Sequence, residues 1–315
     1  MSNHSLGSWS SLNASWEDIG AENGTDLLNP QDGFDHESSL YPTAYIILLV
    51  LILVISIFGL MGNGTVIWFL GFCMKRNPFT IFILHLAVAD LGTLMCLCSL
   101  MIIFVHVFFM FMYNTGQYLL TAISMDRCVS VVFPLWHRCH RLSPHRPPHF
   151  STLVCATIWI FSFLLTVICW ILPNFLLIKD ALFYHLLVNA ILCLPLMTVS
   201  TLVLFIKVYF RSQQRKRGKA VRAILLALLF FLILAFPFTC ILLIFLSSNF
   251  VNYNAIFIGP LCSCLNSSVN PLIYFLVGRK KHSRSRESLK VIFQRVFKEE
   301  EDGRKKGDIQ VRTQF

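Results

Sequence analysis

Lysine and arginine are missing from the first 43 residues, which carry seven acidic groups: Glu17, Asp18, Glu22, Asp26, Asp32, Asp35 and Glu37. Charge is scarce throughout, at 13% of residues, against about a quarter in a soluble domain. Apolar residues make up 56% and the mean hydropathy is +0.68, which excludes an ordinary soluble fold and leaves a membrane protein. No His/Glu metal cluster, phosphate-cradling glycine loop or nucleophile beside a base occurs, so no enzyme chemistry is expected. The 11 cysteines show no metal-ligand spacing; Cys96-x-Cys98 and Cys262-x-Cys264 lie in apolar stretches, where Cys acts as a small hydrophobe. Internal repeats and rows of intramembrane charge are absent too, which argues against a transporter or channel.

What is present is one-sided positive charge. Of 26 Lys and Arg, 25 lie at Lys75-Arg76, from Arg127 to Arg146, from Lys207 to Arg222, and from Arg279 onward; Lys179 stands apart. These clusters flank hydrophobic spans rather than aromatic-studded polar surface, so the net charge of +10 points to anionic lipid and acidic protein partners, not nucleic acid. Basic loops stay in the cytoplasm during insertion, which puts the N-terminus outside and the tail inside. A crossing helix needs about 20 apolar residues. Tyr45–Phe72, Phe79–Leu100, Leu153–Pro173, Leu182–Phe210, Val221–Leu246 and Ala255–Val277 qualify, and a further span must end near Arg127.

Residues 1–42 are polar and too poor in apolar groups to pack alone. Asn3, Asn13 and Asn23 each begin an Asn-x-Ser/Thr triplet on the side expected to be extracellular, so glycosylation is expected there. The triplets at Asn63 and Asn266 lie inside spans and are set aside. The opening residues are neither basic nor apolar, so the first helix is expected to act as the insertion signal.

The interval from Asp90 to Arg127 is cramped. Its 37 steps give about 55 Å of helix, and the path up and back takes about 45 Å, leaving roughly six residues for a turn. Leu100 to Met112 offers no Pro, Gly, Asn or Asp to make one. Two readings stand: unusually short second and third spans, or an extracellular piece missing from this chain.

Fixed motifs punctuate the spans: Gly62-Asn63 in the first, Leu86-Ala87-Val88-Ala89-Asp90 in the second, and Asp126-Arg127-Cys128 closing the third. Trp159, Pro195 and Pro237 follow in the fourth, fifth and sixth, and Asn270-Pro271-Leu272-Ile273-Tyr274 occupies the seventh. In this order, over residues 45–298, they resemble the rhodopsin-like G-protein-coupled receptors. Lys75-Arg76-Asn77-Pro78-Phe79-Thr80, Phe133-Pro134-Leu135-Trp136-His137-Arg138-Cys139 and Ala235-Phe236-Pro237 look like the Mas-related family, nearest its Mas branch.

The resemblance implies an all-α membrane protein: a seven-helix bundle with an amphipathic eighth helix, converting binding of an extracellular peptide or small molecule into heterotrimeric G-protein activation. Its expected parts are an extracellular glycosylated segment 1–42, a receptor domain 43–278, an eighth helix 279–298 and a cytoplasmic tail 299–315, in the plasma membrane. Asp126, Arg127, Pro237, Asn270, Pro271 and Tyr274 would carry activation and coupling. Asn63, Asp90, Asn266, Ser267 and Asn270 would form a buried polar network, near which related receptors hold sodium. Gly116 and Met112 stand where the third span often supplies ligands, so a polar network is expected rather than a metal site.

Several departures narrow the reading. Phe109 occupies the position of the amine receptors' Asp, and Cys264 that of the opsins' retinal Lys, so neither ligand class is supported. No Cys stands at Ile102 or in Asn174–Asp180, nor does Cys169 have an outer partner. No acid stands at the base of the sixth span, where Arg215-Lys216-Arg217-Gly218-Lys219 reads basic, so resting restraint on Arg127 is expected to be weak. Val203 replaces the expected fifth-span partner of Tyr274.

His106, Phe109, Tyr113, Trp170, Asp180 and Tyr184 lie towards the outer side as candidate ligand contacts. From Lys280 to Phe297, the residues Leu289, Ile292, Phe293, Val296 and Phe297 fall on one helical face, expected to lie on the inner membrane surface. Ser283, Ser285 and Ser288 are the few tail phosphorylation candidates, leaving arrestin recruitment open. The rival reading is a receptor-like protein, retained or silent because its second and third spans are shortened.

Overall fold

Pro30 opens the first helix, α1 (Pro30–Trp68), at a position where a missing N–H costs no hydrogen bond. The computed structural model describes residues 30–74, 77–99, 103–134, 136, 149–176, 181–210, 223, 225–234, 239, 243, 253–279 and 288–297. Residues 1–44 form one unit and Tyr45–Phe315 another. In the first, residues 30–44 are helical, so helical order begins inside the segment 1–42 read as unpacked. Asn3, Asn13 and Asn23 lie outside the described residues.

In the second unit α1 ends in a π-helical turn, Phe69–Cys73. Then come α2 (Pro78–Ser99), α3 (Ile103–Val132), α4 (Phe150–Leu176), α5 (Ala181–Phe210), α6 (Leu225–Leu234) and α7 (Tyr253–Gly278), with α8 over residues 289–297. Among the described residues five stretches are long and apolar enough to cross a membrane: Ile46–Cys73, Pro78–Ser99, Phe150–Cys169, Leu186–Lys207 and Gly259–Gly278. At 30 residues α3 spans about 45 Å, but it carries buried Asn114, Thr115, Gln117, Thr121, Ser124 and Arg127. It can afford that polarity because it packs against α2, α4 and α5, away from lipid. The outward surface is the reverse, with Phe58, Phe72, Ile160, Ile191 and Val199 at least 60% exposed. Polar inside and apolar outside is the arrangement of a bundle whose solvent is hydrocarbon.

The cramped interval runs between two long helices. From Asp90, α2 runs only nine residues to Ser99, and α3 begins at Ile103, 24 residues before Arg127. Residues 100–102, between Ser99 and Ile103, lie outside the described residues.

Side-chain hydrogen bonds tie the bundle together. Asn63 Nδ2 donates to the carbonyls of Gly59 and Ser267, each at 3.0 Å, joining α1 to α7. Trp159 Nε1 donates to His85 Nδ1 at 3.2 Å between α4 and α2, and Thr115 donates to Ser162 at 2.8 Å between α3 and α4. Gly62 lets α1 reach Pro271: a Cβ there would stand 2.9 Å from the proline Cβ.

The last helix packs on the bundle. Ile292, Phe293, Val296 and Phe297 are at most 3% exposed, and the last three join the same core as Val66, Leu70, Phe79 and Tyr274. The apolar face read as membrane-lying is buried against the bundle, and only Leu289, 44% exposed, stays outside. Three features favour docking. The π-turn puts Phe69 in a stack with Phe293, centroids 5.4 Å apart; Gly278 leaves room for Ile292; and Arg295 donates to the Gly278 carbonyl at 2.7 Å, at the open end of α7.

Candidate receptor machinery

Local sequence sets the basic end of the bundle. Asn77 caps α2 by accepting from the Thr80 amide at 2.8 Å, while the Thr80 hydroxyl accepts from the Asn77 amide at the same distance. With Pro78 in first position this reciprocal cap starts the helix sharply and holds Phe79 in its first turn. Above the Phe79 ring, 4.1 Å from its centroid, lies the guanidinium carbon of Arg127. That arginine is 4% exposed, and Asp126 Oδ2 stands 3.3 Å from its Nη2. A buried guanidinium needs such a partner, because leaving one charge unpaired costs about 3–5 kcal/mol. Tyr274, 3% exposed, meets Phe297 edge-on at 5.7 Å and borders a small apolar cavity with Leu86, Ile123, Ala227 and Leu228. Pro237 lies outside the described residues.

Halfway along the bundle, Asp90 accepts a hydrogen bond from Asn270 Nδ2 at 2.8 Å and another from Ser267. Asn266, one residue earlier on α7, is buried as well. On the third-helix side Gly116 faces Asp90, and the Met112 thioether packs towards Gly92. A hard cation needs several oxygen ligands, and here Gly116 and Met112 bring no side-chain oxygen while Asn270 presents its donor end. The residues fit a hydrogen-bonded network rather than a sodium site.

Further along α3, a second polar cluster surrounds a cavity with room for about one water molecule. Asn189 Nδ2 donates to Asn114 Oδ1 at 2.8 Å, and the Tyr118 hydroxyl donates to Asn189 Oδ1. Tyr113, Gln117 and Thr239 complete the polar wall, with Leu186, Cys193 and Phe231 between them. Phe109 stacks on Tyr113 one turn away, with centroids 5.7 Å apart and planes 9° from parallel.

The chain matches the model of the 7 transmembrane receptor (rhodopsin family) over residues 62–274. It is 37% identical over 275 residues to Proto-oncogene Mas of Rattus norvegicus, covering 79% of this chain and 83% of that protein. Against Proto-oncogene Mas of Homo sapiens the identity is 36% over 285 residues, covering 82% and 85%. Against Mas-related G-protein coupled receptor member H of Rattus norvegicus it is 36% over 283 residues, covering 83% and 86%. The chain belongs to the rhodopsin family of seven-transmembrane receptors, in its Mas-related group.

As a Mas-related receptor it is a multi-pass plasma-membrane protein and not an enzyme, and it converts binding of an extracellular ligand into activation of a heterotrimeric G protein. Of the residues singled out from sequence, the structure brings together Asp126 with Arg127, Asp90 with Ser267 and Asn270, and Phe109 with Tyr113. Asn63 joins α7 through the Ser267 carbonyl, beside the Asp90 network rather than within its side-chain bonds. Asp180 and the side chains of His106, Trp170 and Tyr184 fall outside the described residues. Sequence reasoning missed Phe79, Asn114, Gln117, Asn189, Thr239 and Phe297. The amides had a legible signal, since a polar residue in an apolar span turns to the bundle interior. Phe79 stood in a motif and Phe297 on an apolar face, but nothing among 29 phenylalanines marked the two as partners.

Proposed function

We propose that Arg127 is the group this Mas-related receptor releases to its G protein. The observation that carries the reading is a guanidinium 4% exposed beside Asp126, at the basic end of the bundle. Agonist binding favours a state in which the inner half of the sixth helix, including Pro237, moves outward. The equilibrium shifts only as far as the ligand's preference for that state. Pro271 interrupts the hydrogen-bond ladder of α7 and, with Asn270 and Tyr274, makes the hinge. Outward motion of Ala227 and Leu228 would enlarge the apolar cavity that Tyr274 borders.

The ligand site in this reading lies over the Tyr113–Asn114–Gln117–Asn189–Thr239 wall, with Phe109 above it and His106, Trp170, Asp180 and Tyr184 towards the entrance. Its described walls are neutral, which suits a peptide or small molecule presenting amide or hydroxyl groups. The N-terminus stands outside, glycosylated at Asn3, Asn13 or Asn23, and the basic tail inside, facing anionic lipid and arrestin.

The test is basal guanine-nucleotide exchange in membranes from cells matched for surface receptor. Surface density is read through an N-terminal tag in intact cells, which reports orientation in the same measurement. Wild type should exceed mock-transfected membranes and Arg127→Ala should fall to their level. Equal exchange by wild type and Arg127→Ala would remove the reading.

A further inference from the structure

An unbroken aromatic chain runs from the tail to Arg127. Phe69 stacks on Phe293, whose ring lies parallel to that of Phe297 at 6.2 Å and 6°. Phe297 touches two rings at once: Tyr274 at 5.7 Å and Phe79 at 6.1 Å. On Phe79 rests the guanidinium of Arg127, at 4.1 Å. Every ring from Phe79 to Phe297 in this path is at most 3% exposed, as is the Tyr274 that it passes. A cation over an aromatic face is held electrostatically, and more strongly where water is excluded.

We propose that α8 is a built-in restraint: Phe297 backs Phe79, and Phe79 positions Arg127 in the held state, so that the tail sets the basal activity of the receptor. The proposal rests on the coupling role of Arg127 argued above. It accounts for a device that the sixth span does not supply, since the region Arg215 to Lys219 contains no acid. The restraint is aromatic where an ionic one would otherwise stand. It also explains why α8 buries its apolar face against protein: a helix floating on lipid could not back the Phe79 ring. Phe79 is a positioning residue, acting through Arg127.

Two variants release the restraint by different routes. Phe79→Leu removes the ring face and keeps an apolar side chain. Gly278→Ala leaves Arg127, Phe79 and Tyr274 intact but puts a Cβ 2.6 Å from both the Ile292 carbonyl oxygen and its Cγ2, which forces α8 away. Leu289→Ala is the control: it trims the same helix at a residue 44% exposed. The full-length receptor in nanodiscs is assayed for basal nucleotide exchange and for hydrogen exchange over residues 288–297.

Phe79→Leu and Gly278→Ala should raise the ratio of released to held receptor roughly 5- to 30-fold, as loss of a desolvated cation–π contact implies. Leu289→Ala should match wild type. In Gly278→Ala, hydrogen exchange over 288–297 should quicken. Faster hydrogen exchange with unchanged basal signalling, while Arg127→Ala still lowers it, would overturn the restraint alone. Faster hydrogen exchange with no difference in signalling among wild type, Arg127→Ala and the release variants would overturn the coupling role of Arg127 and the restraint with it. A rise in Leu289→Ala equal to that in Gly278→Ala would assign the effect to lipid contact and overturn the proposal.

Discussion

Two glycines in the last two turns of α1 should respond to the same substitution differently. At Gly62 an added Cβ stands 2.9 Å from Pro271 Cβ and 3.2 Å from Pro271 Cγ, whereas at Gly64 nothing lies within 4 Å. Both are interior to α1, so Gly→Ala brings each a helix-propensity gain of about 0.8–1.0 kcal/mol. That gain cancels when the two variants are compared. The difference left is the overpacking at Gly62, about 1–3 kcal/mol because the proline ring cannot rotate away. At about 2–4 °C per kcal/mol, Gly62→Ala should melt roughly 2–12 °C below Gly64→Ala. The assay is a thermal shift on both variants purified in the same detergent, with wild type between them or level with Gly62→Ala. A Gly62→Ala variant as stable as Gly64→Ala would refute the close approach of α1 to Pro271, and with it the packing that braces the proposed hinge.

Two further outcomes follow from the polar interior. Because Gly116 and Met112 bring Asp90 no side-chain oxygen, replacing sodium by choline should leave wild-type basal nucleotide exchange unchanged; a sodium-dependent shift would restore the metal reading. Asn189→Leu should lower the melting temperature, since it deprives the Asn114 and Tyr118 side chains of a buried partner at a cost of about 1–3 kcal/mol each. Adding Asn114→Leu and Tyr118→Phe should recover most of that loss, because an apolar replacement of the whole set leaves less unpaired; a triple variant that only sums the single losses would count against the network.

Much of the receptor was legible in residue order because the bilayer imposes rules that act locally. Twenty-residue apolar runs read as spans, and the structure places helices at each of them within the described residues, from the Tyr45–Phe72 span to the Ala255–Val277 span. An ionisable group such as Asp90 inside a bundle must find a partner, and the family resemblance named Asn270 among the candidates. The tail shows where such rules stop. Its apolar face over 289–297 has the period of a membrane-surface helix, and period reports that a face is buried without saying in what. Lipid and protein present the same apolarity to Phe293 and Phe297.

Residue order by itself determined the class of protein, the helical spans and the polar residues that must face inward, since each depends on near neighbours and on the solvent. Tertiary structure alone decided which groups meet: Arg127 on Phe79, Phe297 against Tyr274, Asn189 between Asn114 and Tyr118. Those contacts join residues far apart in the chain, and close packing selects them by shape, which no spacing of letters records.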